Sequence, residues 1–83
     1  MIEAKKAIEI AFTYMHDIFP DAKELELEEI ELSDDNSHWA ITISMPENGK
    51  ATLAILSGIN RKYKKIIIDA YSGLVKGMKI RKL

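Results

Sequence analysis

Two histidines and thirteen carboxylates carry whatever acid–base or metal chemistry this chain of 83 residues can perform, because it contains no cysteine. Without thiols there are no disulfides, no thiolate zinc sites and no cysteine nucleophile. His16 and His38 stand far apart, and neither belongs to a His-x-x-x-His or Glu-x-x-His pattern that would set two ligands on one helix face. The run Asp34-Asp35-Asn36-Ser37 is similar to half of a calcium loop, but it lacks the central glycine and the closing glutamate, and it reads as a solvated turn. Glu24, Glu26, Glu29 and Glu31 alternate with apolar residues, the pattern of a solvated strand face and not of a carboxylate pair with a shifted pKa. Serines 33, 44, 57 and 72 have no nucleophile-elbow context, and no glycine-rich loop precedes a helix to cradle phosphate. We therefore expect no catalytic residues, no metal, no cofactor and no enzyme.

A chain of this length buries about 60–65% of its extended surface and builds one modest core. Its composition, 47% hydrophobic and 30% charged, is that of a globular domain. The net charge of −1 conceals a polarity: residues 1–48 hold twelve acids and three bases, residues 49–83 nine bases and one acid. Compensation between elements that meet in the fold is the simpler reading of this split; an anionic partner for the second half is the sharper one. No apolar run approaches the roughly 20 residues of a membrane-spanning helix. Met1 to Lys6 lacks the cationic and apolar segments of an export signal, which points to the cytoplasm, or to an extracytoplasmic site if the chain is a trimmed form.

Ala4, Ala7, Ile8, Ala11, Phe12 and Met15 recur at spacings of three and four, so residues 3–18 are expected to form an amphipathic helix that Pro20 ends. Beyond it the period falls to two. Strands are expected at about 24–33, 37–45, 51–57, 62–70 and 74–82, joined by short turns that force antiparallel neighbours. The apolar phase slips between Leu27 and Ile30, which a β-bulge would restore. The apolar stretch 51–57 fits a strand or a short helix by periodicity, with strand preferred. The fold class is α+β: one domain over residues 1–83, with the helix packed on a four- to five-stranded antiparallel meander. Leu74, Met78 and Ile80 are expected to share one side of the last strand, with Tyr63, Ile67 and Val75 on the other, which could support a homodimer through the sheet.

The residues suited to holding a partner are Trp39, Tyr63 and Tyr71, with Lys62, Lys64 and Arg81 as a cationic complement. Trp39 is in phase with Ile41, Ile43 and Met45, which favours a core role over an anchor. The basic residues alternate between faces, which disfavours a nucleic-acid track.

The Ala7-x-x-x-Ala11 helix, the Phe19-Pro20 break and the hairpin running from Tyr63 through Ile66-Ile67-Ile68-Asp69-Ala70-Tyr71-Ser72-Gly73-Leu74-Val75 resemble a PepSY-type domain over about two thirds of the chain. That resemblance implies a cystatin-like, non-catalytic α+β module that restrains peptidases or serves regulatory or extracytoplasmic binding. A similar layout occurs in small bacterial immunity proteins, and the acidic first half would suit a basic toxin. The expected function is a small protein-binding or regulatory module, possible inhibition included; the alternatives are an immunity-like protein and a nucleic-acid accessory.

Overall fold

A computed structural model describes residues 1–46 and 61–81. The expected strand over 51–57 lies outside the described residues. One helix, α1 (Ala4–Ile18), precedes four strands: β1 (Glu26–Leu32), β2 (His38–Pro46), β3 (Arg61–Asp69) and β4 (Val75–Ile80). The strands form one antiparallel sheet in the order β1-β2-β3-β4. This is the α+β meander that the periodicity predicts.

The helix stripe is narrow and small where it touches the sheet. Ala7, Ala11 and Met15 are fully buried, and they pack on Ile41 and Ile43 of β2 and on Ile66 and Ile68 of β3. Alanines at positions four apart let the helix backbone approach the sheet closely, and Met15 fills the space left beyond them. Ile8, Phe12, Tyr14 and Phe19 flank this line half-buried or at its rim. The helix stops where Pro20 requires: Phe19 leaves helical geometry while its N–H still reaches the Met15 carbonyl at 2.8 Å. Its start is tied to the sheet, because the Ile2 N–H donates to the Ala70 carbonyl at 2.7 Å and Trp39 Nε1 donates to the Ile2 carbonyl at 3.2 Å.

Two bulges set which side chains face the helix. In β1 the register shifts between Leu27 and Glu29, so Leu27 opposes Ile43 and Ile30 opposes Ile41, both on the helix side. The expected slip is present. In β4 a second shift between Ile67 and Ile68 pairs Val75 with Ile68 and Met78 with Ile66. This corrects the expected phase: Val75 joins the core, while Leu74, expected on the Met78 side of the strand, stands outside it and is 70% exposed. Simple alternation from Met78 back to Leu74 fails because the bulge inserts one residue.

The turn between β3 and β4 is built by Asp69 and Gly73. Asp69 Oδ1 accepts the Tyr71 and Ser72 N–H groups at 2.9 and 2.8 Å, and Gly73 takes a φ of +76°. A Cβ at Gly73 would also lie 3.3 Å from Ile10 Cδ1, so the position combines a left-handed backbone with a close helix contact.

Candidate functional site

Two surfaces collect the polar and apolar groups that the core leaves over. The first is the sheet face opposite the helix. Alternation places Thr42 and Ser44 on it, yet they are 2% and 0% exposed with no second layer of secondary structure above them among the described residues. Arginines cover them. Arg61 Nε donates to Ser44 Oγ at 2.9 Å, and its Nη2 reaches the Ser44 carbonyl at 3.2 Å, the Glu24 carbonyl at 2.8 Å and the Glu26 carboxylate at 3.4 Å. Ser44 Oγ passes its own proton to Glu28 at 2.6 Å. Arg81 crosses the sheet from the end of β4 to both carboxylate oxygens of Glu29, passing Thr42 Oγ1 at 3.5 Å. The β1 bulge makes this possible, because it brings Glu28 onto the same face as Glu26 and Glu29. Arg61 lays its guanidinium on Ser44, and Arg81 reaches over Thr42 to Glu29, each spanning several acceptors with its planar fork. The oppositely charged halves of the chain thus meet and partly neutralise each other on one face.

The second surface is the flank where α1 runs beside β4. A groove of about 290 Å³ there is lined by Ile10, Tyr14 and Val75, with Lys6, Glu9 and Asp17 from the helix. Three large apolar side chains of the β3–β4 turn and of β4 stand exposed: Tyr71 at 67%, Leu74 at 70%, next in the chain to Val75 of the groove, and Ile80 at 72%. The Asp69–Gly73 turn fixes the backbone that carries Tyr71, so this side chain is presented without local freedom in the loop.

The turn between β1 and β2 uses a different cluster. Asp35 Oδ1 accepts from Ser33 Oγ at 2.7 Å and from the Ser37 N–H at 3.0 Å, and Asn36 takes the left-handed φ of 60° that asparagine tolerates. Hydrogen bonds from Ser37 and Ser33 hold the Asp35 carboxyl down at about 2, below its ordinary 3.8. A depressed folded-state pKa contributes stability that is complete above the unfolded value and lost as pH falls through the folded one. Thermal melts should therefore show the wild-type chain losing more stability than Asp35→Asn between pH about 4 and pH about 2. Parallel loss in the two chains would show that the carboxylate does not hold this turn.

The sequence candidates fall on separate surfaces. Trp39 is half-buried on the helix side and bonded to the start of the chain, a core lid. Lys62 and Lys64 alternate with Tyr63 along β3, and the Lys64 ammonium sits 6.0 Å from the Phe19 ring centre, over the helix end. Tyr63 and Arg81 lie on the open face, where Arg81 is paired with Glu29. Tyr71, on the β3–β4 turn, is alone of the six in being exposed. Leu74 and Ile80 are likewise exposed, although alternation assigns them to a buried side, and Tyr14 lines the groove. Among the described residues no group of three His, Asp or Glu side chains converges as a metal site would require, and no helix is long and apolar enough to cross a membrane. No protein-family model matches the chain, and no curated protein or solved structure is significantly similar to it.

Proposed function

We propose that this chain is a small, non-enzymatic protein-binding or regulatory module of the PepSY-like kind, and that it engages its partner through the flank of α1 and β4. The observation that carries the reading is the exposure of Tyr71 and Leu74 on a turn whose backbone is locked by Asp69 and Gly73. Aromatic and aliphatic side chains left in water on a hydrogen-bonded turn contribute nothing to the core, and their backbone is already ordered. They lose little conformational entropy when a partner covers them, which is the property of an interface anchor. The turn belongs to the Asp69-Ala70-Tyr71-Ser72-Gly73 segment on which the PepSY likeness rests, and the small fold and polar open face suit recognition better than a reaction.

A second reading, an immunity-like protein, is favoured by the acidic outer strand β1, whose exposed Glu31 and Glu28 are not paired with a base among the described residues and would attract a basic toxin, while Glu26 and Glu29 are held by Arg61 and Arg81. The nucleic-acid reading is weakened by the pairing of Arg61 and Arg81 with glutamates on their own sheet.

The test is capture by the immobilised full chain, identification of the bound protein, and titration of that protein in purified form. A Tyr71→Ser/Leu74→Ser double variant should bind it at least about 10-fold more weakly while its melting temperature stays unchanged. A peptidase as partner supports the regulatory reading, and a toxic nuclease the immunity reading. Equal binding by the double variant would remove the flank as the interface.

A further inference from the structure

Lys65 and Lys79 stand directly opposite each other on β3 and β4. Like charges in direct cross-strand register repel. Arg61 and Arg81 are each paired with a glutamate across the sheet, whereas among the described residues neither Lys65 nor Lys79 lies within ion-pair distance of a carboxylate. Alternation puts both lysines on the open face, since Ile66 and Met78 next to them pack against the helix-side core. A site that concentrates positive charge and leaves it unanswered by the described residues is complementary to an anion placed alongside.

The edge beside these lysines also carries no neighbouring strand among the described residues, because β4 ends the sheet. Its outward N–H and C=O groups therefore offer a template for another strand. On the helix side β4 borders the groove lined by Ile10, Tyr14 and Val75, and Leu74 and Ile80, at the two ends of the strand, are exposed.

From the lysine pair, the open edge and the groove we infer that β4 accepts an extended segment of another protein as a fifth strand, one in which acidic and apolar residues alternate. This inference rests on the protein-binding reading and specifies the chemistry of the partner. Main-chain pairing supplies affinity, and the alternating side chains supply specificity. Side chains directed to the open face meet Lys65 and Lys79, and carboxylates suit them. Those directed to the helix side meet the apolar groove, where Glu9 is paired with Lys6 and Asp17 disfavours a further acid. Alternation, not bulk acidity, is thus selected. Two copies joined β4 to β4 would bring Lys76 and Lys79 together with their own like charges. Strand β1 of a second copy, however, also alternates acidic and apolar residues, so the test must separate it from a foreign segment.

The probe is a capped peptide of about seven residues alternating glutamate and valine, titrated against the full chain by fluorescence anisotropy. Saturable binding is expected, weakening as salt rises and disappearing when alternate peptide nitrogens are methylated to block strand pairing. Lys79→Glu, which would place a carboxylate opposite Lys65 and is checked for folding by circular dichroism, should weaken binding at least 10-fold. The same variant should gain affinity for a peptide alternating lysine and valine. Equal binding of the methylated peptide, or wild-type preference for the lysine peptide, overturns the inference. Sedimentation that shows the chain growing into oligomers as concentration rises also overturns it, because a second copy then fills the edge. A purified native partner that binds the wild-type and Lys79→Glu chains equally overturns edge pairing and leaves the protein-binding reading standing. Peptide binding at the edge without any cellular protein partner would do the reverse.

Discussion

Replacing Ile66 with alanine is expected to remove about 2–5 kcal/mol of folding stability. Ile66 is fully buried at the centre of the sheet, paired with Ile41 on one side and Met78 on the other, and it packs in the same cluster as Ala7, Ala11 and Met15. Its neighbours cannot collapse into the vacated space, since the two central strands are held by their own ladder and the helix already approaches through alanines. Stability of an ordinary domain runs at roughly 0.05–0.15 kcal/mol per residue, so a chain of this size has only about 4–12 kcal/mol in all. The substitution therefore consumes a large share, and chemical denaturation should show a much lower midpoint with an unchanged slope. Ile66→Val should lose only about 0.5–1.5 kcal/mol. A midpoint for the alanine variant indistinguishable from wild type would mean that the helix does not pack on this part of the sheet.

The second large effect is expected at Arg61, a residue that looks like ordinary surface charge in the sequence. Its guanidinium serves Ser44 Oγ, the Ser44 and Glu24 carbonyls and the Glu26 carboxylate. Ser44 is fully buried, and removing the arginine leaves its oxygen and carbonyl short of a donor. Glu24 holds a left-handed φ of 56°, a conformation that costs a non-glycine residue about 1 kcal/mol and that the Arg61 bond helps to retain. Glu26 is 61% exposed, so the ion pair itself adds less than about 1 kcal/mol. Arg61→Ala should accordingly cost about 2–3 kcal/mol, mostly through the hydrogen bonds. The loss should appear first as faster amide exchange in β1, because Arg61 fastens the entry to that strand to the β2–β3 pair. Arg61→Lys should recover less than half of it, since an ammonium cannot span several acceptors as a planar fork does. Full recovery by lysine would reduce the site to a simple charge effect.

Several elements were legible before any coordinates. The spacing of Ala7, Ala11 and Met15 specified both the helix and the face it buries, because positions four apart lie one above another on a helix whatever it packs against. The slip between Leu27 and Ile30 located the β1 bulge, since a strand with one buried face cannot change phase without inserting a residue. The turns at Asn36 and Gly73 followed from residues that tolerate positive φ. The β4 bulge was not legible: Val75 and Leu74 are both apolar, and only the pairing with Ile68 decides which of them enters the core. The flank surface stayed hidden for the same reason, as Leu74 is exposed only because of that extra residue.

By itself the sequence determined one helix, an antiparallel meander and the opposite charges of its two halves, because periodicity and turn chemistry act over a few residues. Which charges meet was decided only by the tertiary structure. Arg81 and Glu29 are 52 positions apart, and Arg61 and Glu26 are 35 apart. They come together because strand register and two bulges place them on one face, and register is a property of paired strands that no single strand contains. The same pairing left Lys65 opposite Lys79 without an acid among the described residues, next to an uncovered edge.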